Sequence, residues 1–152
     1  MSGSTEPMTS RPSSRLAVVA CMDCRLDVET VLALAPGEAH VIRNAGGVLT
    51  DDVRRSLLLS QRSLGTRRII LLHHTDCGLH GVDEERYLEE VEAELGQRPG
   101  FALGAFDDAA TDVAEAIADL RGDPLVPHTD DIVGYVYDVV TGELAAVDDE
   151  SG

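Results

Sequence analysis

Two short apolar segments, each followed at once by residue types that bind metals, place the strongest constraint on the fold of this chain. Residues 16–20 (LAVVA) lead into residues 21–25 (CMDCR), and residues 69–72 (IILL) lead into residues 73–78 (HHTDCG). A short, continuously apolar run is typical of a strand buried on both faces of a parallel sheet. Because ligands bind such sheets at the carboxyl ends of the strands, we expect the two motifs to meet at one edge.

The side chains of the two motifs have the chemistry of a zinc site. Cys21, His74 and Cys77 offer two sulfur atoms and a ring nitrogen, a Cys2His set that leaves the fourth position of a tetrahedral zinc ion open. An open position is typical of catalytic zinc, whereas structural zinc is closed by four protein ligands. Cys24 leaves a second interpretation open, because a fourth ligand at this position would make a closed Cys3His structural site in a binding or scaffold module.

Strands and helices alternate along the chain. Apolar runs predict parallel strands at residues 15–21, 39–43, 68–72 and 132–137. Apolar residues at helical spacing predict helices at residues 27–34, 50–64, 83–95 and 107–120. This alternation is typical of an α/β domain with a mostly parallel sheet.

The predicted fold class is therefore α/β. A single domain over residues 15–147 contains a mostly parallel four-stranded sheet flanked by helices, with a short antiparallel C-terminal edge strand at residues 143–147. Residues 1–14, rich in serine and proline, are predicted as a flexible arm, and residues 148–152 as a frayed tail.

The formal net charge is −16, and it is unevenly distributed. Residues 1–82 hold 8 acidic residues and 9 arginines, near +1, whereas residues 83–152 hold 20 acidic residues and 3 arginines, near −17. This charge disfavours binding to nucleic acid or to an anionic membrane surface. No apolar run approaches the ~20 residues that span a bilayer. The polar N-terminus lacks the apolar core of a signal peptide, so we expect a cytoplasmic protein without a disulfide framework.

Three motifs in this order, CMDCR, IRNAGG and HTDCG, resemble those of the β-class carbonic anhydrases. The resemblance spans about residues 15–147, and the ending GYVYDVVTGEL is similar to the compact subgroup, which also includes carbonyl sulfide and carbon disulfide hydrolases. It implies zinc ligands at Cys21, His74 and Cys77. It further implies a catalytic dyad of Asp23 and Arg25, and backbone that lines the pocket at Gly46, Gly47 and Gly78.

The resemblance implies an enzyme that converts carbon dioxide and water to bicarbonate and a proton, with zinc-bound hydroxide as the nucleophile. Asp23, two residues after a ligand, would accept a hydrogen bond from the hydroxide, and Arg25 would hold the Asp23 carboxylate in a charge-assisted pair. Carbonyl sulfide and carbon disulfide are linear like carbon dioxide. A hydrolase that acts on either compound with the same site therefore stays open as an alternative.

The family is built from dimers, so the resemblance also implies a homodimer or a higher multiple. Two features of the sequence depart from the family pattern. Cys24 stands where the family usually has serine or alanine, and the first predicted strand begins near Arg15. That start leaves no room for the N-terminal helices that embrace the partner subunit in other members.

Overall fold

The computed structural model describes residues 8–147, which contain one five-stranded sheet. The strands are β1 (Leu16–Cys21), β2 (Ala39–Asn44), β3 (Arg68–His74), β4 (Ile132–Tyr137) and β5 (Leu144–Val147). Their order in the sheet is β2-β1-β3-β4-β5. The first four strands pair in parallel, and β5 pairs antiparallel with β4. The predicted fold class is confirmed, including the antiparallel strand at the C-terminal edge.

Within the same residues, the α-helices are α1 (Val28–Val31), α2 (Asp51–Arg62), α3 (Glu84–Leu95) and α4 (Ala109–Arg121). Each begins after a side chain that accepts a hydrogen bond from the backbone N–H three residues on; these caps are Asp27, Thr50, Asp83 and Asp108. α1 is shorter than the helix predicted at residues 27–34. It ends early because Ala33 adopts a left-handed conformation, with φ of 54°.

Buried apolar side chains cover both faces of the sheet. On one face, α2 and α4 join the central strands in a cluster that includes Val19, Leu57, Leu71 and Ile117. On the other face, a second cluster contains Val28 of α1 and Leu26 of the loop before it. Gly134 of β4 lies directly under α4, where an added β-carbon would collide with Val113. α4 is therefore packed against the backbone of β4.

The strand order explains why the two cysteine motifs meet. β1 lies between β2 and β3, so the chain passes from β1 to its neighbour on one edge, β2, and then crosses to its neighbour on the other edge, β3. The carboxyl ends of β1 and β3 are therefore neighbours at a switch point of the topology, where open α/β sheets form their ligand crevice. β1 ends at Cys21 and β3 at His74.

The two ends of the predicted domain differ in what can be described. Residues 1–7 and 148–152, which belong to the predicted arm and tail, lie outside the described residues. The rest of the arm contacts the domain: Ser13 N–H donates to Gly37 O (3.0 Å), and His40 Nε2 lies 2.8 Å from Ser10 O. None of the described helices is both long and apolar enough to cross a membrane.

Candidate active site

Three buried side chains converge at the carboxyl ends of β1 and β3. The ligand atoms of Cys21, His74 and Cys77 all lie within 4.8 Å of one another. The two sulfur atoms are 4.0 Å apart. Cys77 reaches the cluster because the chain turns after β3, and Asp76 makes this turn in a left-handed conformation with φ of 54°. The residues predicted as metal ligands are thus brought together, while Cys24 is exposed and lies outside the cluster.

The His74 ring presents one nitrogen to this cluster. Its Nδ1 lies 2.7 Å from the backbone oxygen of Thr75, a contact that requires the proton to be on Nδ1. Its Nε2 is buried and has no hydrogen-bond partner among the described residues. A histidine held through one nitrogen, with a free lone pair on the other, has the arrangement of a metal ligand. Two thiols and one imidazole nitrogen fit a zinc ion.

The two thiols differ in how readily they lose a proton. Burial raises the pKa of Cys21, but polar contacts with His74 and with the N–H groups of Asp23 and Gly46 outweigh it and lower this pKa to about 7. Burial also raises the pKa of Cys77, and its Asp23 and Cys21 neighbours raise it further. The Cys21 sulfur in turn raises the pKa of His74, through a contact outside standard hydrogen-bond geometry. Cys21 is therefore the thiol that ionises first.

Asp23 and Arg25 form a bidentate ion pair beside the cluster. Arg25 donates from Nε to Asp23 Oδ1 (3.0 Å) and from a terminal nitrogen to Oδ2 (2.7 Å), and its backbone N–H also donates to Oδ1 (2.8 Å). These hydrogen bonds hold the pKa of Asp23 well below its usual range. The second carboxylate oxygen lies 3.6 Å from His74 Nε2. An ionised carboxylate is thus held at the edge of the candidate metal site.

Arg25 also joins the two loops that carry the cysteines. Its guanidinium donates to the Asp76 carboxylate (3.1 Å) and to the Asp76 backbone oxygen (2.9 Å). Asp76 is a site residue that the sequence motifs alone do not single out, and its position between His74 and Cys77 is the signal that indicates it.

The glycines predicted to line the pocket are not equivalent. Gly46 and Gly47 are buried and have φ values of 81° and 64°, in the left-handed region that favours glycine. A β-carbon on Gly46 would lie 2.5 Å from the side chain of Leu79, and one on Gly47 would lie 3.0 Å from the backbone of Cys21. Gly78 is exposed, and a β-carbon there would meet no described atom within 4 Å. Gly47 therefore lets its loop approach the Cys21 backbone.

The neighbouring histidine, His73, points to the opposite face of the sheet. Its Nε2 lies 2.7 Å from the carboxylate of Asp112 on α4, and its ring lies 5.1 Å from that of Phe106. This pair joins β3 to the first turns of α4. His73 thus packs behind the site, and His74 alone of the two faces the cysteines.

Known proteins share this sequence and architecture. A family model described as carbonic anhydrase matches residues 16–144. Beta-carbonic anhydrase 1 of Mycobacterium tuberculosis is 47% identical over 146 residues, which cover 96% of this chain and 90% of that protein. Carbon disulfide hydrolase of Acidianus sp. is 34% identical over 154 residues, which cover 86% and 76%. The crystal structure of carbonic anhydrase from Streptococcus mutans matches with a TM-score of 0.88 at 42% identity, over 95% of this chain and 88% of that one. The chain belongs to the β-carbonic anhydrase family of enzymes.

Proposed function

We propose that this enzyme catalyses the reversible hydration of carbon dioxide to bicarbonate and a proton, with Zn²⁺ bound by Cys21, His74 and Cys77. The observation that carries the proposal is the buried cluster of two thiols and an unpartnered imidazole nitrogen, with an ionised carboxylate at its edge. Three protein ligands leave a coordination position open, as in catalytic zinc sites. The exposure of Cys24 argues against a closed structural site.

Zinc held by Cys21, His74 and Cys77 would supply Lewis acidity, which would lower the pKa of bound water toward neutrality. The chain supplies orientation. Asp23 Oδ2 accepts one hydrogen bond from Arg25 and has a second lone pair, which would be free to accept a hydrogen bond from a hydroxyl group bound beside it. Arg25 keeps this carboxylate ionised and fixed in direction. Because Cys21 and Cys77 would bind the metal as thiolates and donate negative charge to it, we expect the rate to rise toward alkaline pH.

Carbon dioxide is favoured as the substrate by the degree of similarity to named relatives. The protein named a β-carbonic anhydrase shares 47% of the aligned residues, and the one named a carbon disulfide hydrolase shares 34%. A stopped-flow assay of zinc-loaded protein on carbon dioxide, with carbonyl sulfide and carbon disulfide in parallel, tests the assignment. Hydration of carbon dioxide alone is the expected result; turnover of a sulfur compound without hydration of carbon dioxide would contradict it.

The metal assignment has its own test. Cys77→Ser removes a predicted ligand, and we expect marked loss of bound zinc by metal analysis. Cys24→Ser is the matched control, because it makes the same chemical change at an exposed cysteine three residues from Cys21. We expect this variant to retain zinc and activity. Full zinc retention in Cys77→Ser, or zinc loss in the control, would overturn the proposed ligand set.

We also propose that the enzyme works as a dimer or a multiple of one. A groove of about 410 Å³, whose lining includes Ile70, Tyr135 and Leu144, opens on the sheet face opposite α2 and α4. Ile70 is buried, Tyr135 is half-buried and Leu144 is exposed, so the groove presents apolar surface to the outside of the chain. Exposed apolar surface of this kind is typical of a subunit interface. Light scattering after size-exclusion chromatography should give twice the chain mass for the wild type, and Leu144→Arg should shift it toward the monomer. A fully active wild-type monomer would contradict the proposal.

A further inference from the structure

Arg43, at the end of the edge strand β2, directs its guanidinium at the loop that carries Cys21 and Asp23. Its Nε donates to Cys21 O (2.9 Å), and one terminal nitrogen donates to Asp23 O (2.9 Å) and Leu26 O (2.8 Å). All three acceptors are backbone oxygens within one six-residue segment. Arginine's planar fork makes such convergent contacts, which a flexible ammonium group does not reproduce.

The Arg43 guanidinium has no carboxylate partner within ion-pair distance among residues 8–147. Ion pairs with carboxylates are common among the arginines of this chain; Arg25, Arg54 and Arg68, for example, pair with aspartates. Arg43 instead donates its hydrogen bonds to backbone oxygens of the 21–26 loop. Its distinguishing feature is that three hydrogen bonds from one guanidinium converge on the backbone of this single loop.

The positions of the acceptors explain what these contacts fix. Cys21 O and Asp23 O lie on either side of the peptide group that supplies the Asp23 N–H. Because each peptide group is planar, hydrogen bonds that fix the peptide groups before and after it also restrict the direction of the Asp23 N–H. The Asp23 N–H contacts the Cys21 sulfur. Arg43 thus restrains both a predicted ligand and the start of the Asp23–Arg25 pair.

The next residue, Asn44, acts on the same region from the same strand end. Its backbone oxygen accepts from Met22 N–H (2.7 Å). Its side-chain amide exchanges two hydrogen bonds with the backbone of Val48, at 2.9 and 3.1 Å, and so closes the loop that contains Gly46 and Gly47. Two consecutive residues therefore hold the two loops that approach the cysteine cluster.

We propose that Arg43 is a positioning residue for the metal site: it holds the 21–26 loop in the one conformation that places the Cys21 sulfur and the Asp23 carboxylate together. This inference rests on the proposed zinc-dependent function. It assigns Arg43 no contact with substrate or metal. Its effect is transmitted through the backbone of the ligand loop, as in other metal sites whose outer partners orient the ligands.

The test compares Arg43→Met, which keeps the aliphatic bulk, with Arg43→Lys, which keeps the charge but not the fork. Arg55→Met is the matched control, because Arg55 forms an exposed pair with Asp52 on α2. For each protein, zinc affinity is measured by chelator competition, and the cobalt-substituted form is measured by absorption spectroscopy. Urea unfolding reports overall stability, and steady-state kinetics separate kcat from KM. Arg43→Ala is titrated with guanidinium ion at millimolar concentration.

We expect Arg43→Met to lower zinc affinity and kcat by about 10- to 100-fold, the range seen when an outer partner of a metal ligand is removed. Its cobalt spectrum should change, Arg43→Lys should fall between it and the wild type, and guanidinium should restore part of the zinc affinity of Arg43→Ala. Wild-type affinity, kcat and spectrum in Arg43→Met would overturn the proposal. If Arg43→Met fails to fold, Arg43→Lys provides the test, and a wild-type cobalt spectrum in that variant would overturn the proposal. Loss of folding in all three Arg43 variants would also overturn it, because Arg43 would then serve overall stability.

Failure of the proposed function gives a different pattern. If wild-type protein binds zinc but does not hydrate carbon dioxide, the affinity and spectral readouts still test Arg43. If the wild type binds no metal, hydrogen exchange at the 21–26 amides of the metal-free protein replaces them. Faster exchange confined to this loop in Arg43→Met supports the positioning role, and unchanged exchange overturns it.

Discussion

Replacing Gly47 with alanine tests how closely the glycine loop must approach the metal site. Gly47 is buried with a φ of 64°, and an added β-carbon would lie 3.0 Å from Ala20 C and from Cys21 N. Both neighbours are backbone atoms of β1, which is held by strands on either side. They cannot rotate away as a side chain would. The substitution therefore pushes on the residue that carries a predicted zinc ligand.

The size of the effect has two parts. A non-glycine residue in the left-handed conformation costs roughly 1–2 kcal/mol. Overpacking against a fixed neighbour costs about 1–3 kcal/mol more. Gly96 separates the two, since it has a φ of 82° at the end of α3 and an added β-carbon there would meet nothing within 4 Å. Gly96→Ala should thus show the first cost alone.

The assay is thermal and urea unfolding of both variants, with and without zinc. Since 1 kcal/mol shifts Tm by roughly 2–4 °C in a chain of this size, Gly47→Ala should melt about 2–12 °C below Gly96→Ala. Zinc at 100 times its Kd stabilises the wild type by about 2.7 kcal/mol. Displacement of the Cys21 backbone should reduce this increment in Gly47→Ala, and Gly96→Ala should keep it in full.

Equal melting temperatures of the two variants, together with equal stabilisation by zinc, would refute this reasoning. The glycine would then serve only its own backbone conformation. A lower stability with an unchanged zinc increment would refute the link to Cys21 while leaving the steric contact in place.

Three further predictions concern the surroundings of the site. Hydrogen bonds lower the pKa of Asp23 in the folded state, so its carboxylate stabilises the fold above the unfolded pKa of about 3.9. This stabilisation is lost as pH falls through the folded pKa. Asp23→Asn should therefore lower the free energy of unfolding at pH 7 and have little effect in strong acid, as measured by urea unfolding at both pH values. Gly134→Ala should lower the free energy of unfolding by about 1–3 kcal/mol through its collision with Val113, without changing zinc affinity by chelator competition. Glu84→Ala should cost about 1–3 kcal/mol by urea unfolding, because it leaves three backbone N–H groups without their acceptor.

The sequence sufficed to predict the strands and the cluster, because both depend on local patterns. The continuous apolar run before Cys21 indicates a buried strand, and so does the run before His74. Metal-binding residue types directly after such strands indicate a shared edge of the sheet. The boundaries of α1 had no such pattern, since nothing in the sequence indicates that Ala33 turns left-handed.

The supporting contacts could not be predicted because they depend on strand order and register. In the parallel pairing of β1 with β2, Arg43 lies opposite Ala20 and Asn44 lies opposite Cys21. A register shifted by one residue would turn the Arg43 side chain to the other face. Pairing of β2 with a different strand would place Arg43 away from the 21–26 loop. The motif IRNAGG is visible in the sequence, but its arginine, Arg43, acquires a role only through this pairing.

The acidic half of the chain contributes to the site as well as to the surface. The turn after Cys77 is held by Phe106, whose backbone oxygen accepts from Gly81 N–H (2.8 Å) and whose N–H donates to Leu79 O (3.2 Å). The segment just before Phe106 is held in turn by Glu84, whose carboxylate accepts three backbone N–H groups at 3.0 Å. The Arg25 ion pair with the Asp76 carboxylate adds little rigidity, because the Asp76 side chain is 83% exposed. The Arg25 hydrogen bond that restrains the backbone of this loop is the one to the Asp76 backbone oxygen. The position of Cys77 therefore depends on a glutamate from the strongly acidic segment, so the negative charge of that segment is not solely a solubilising surface.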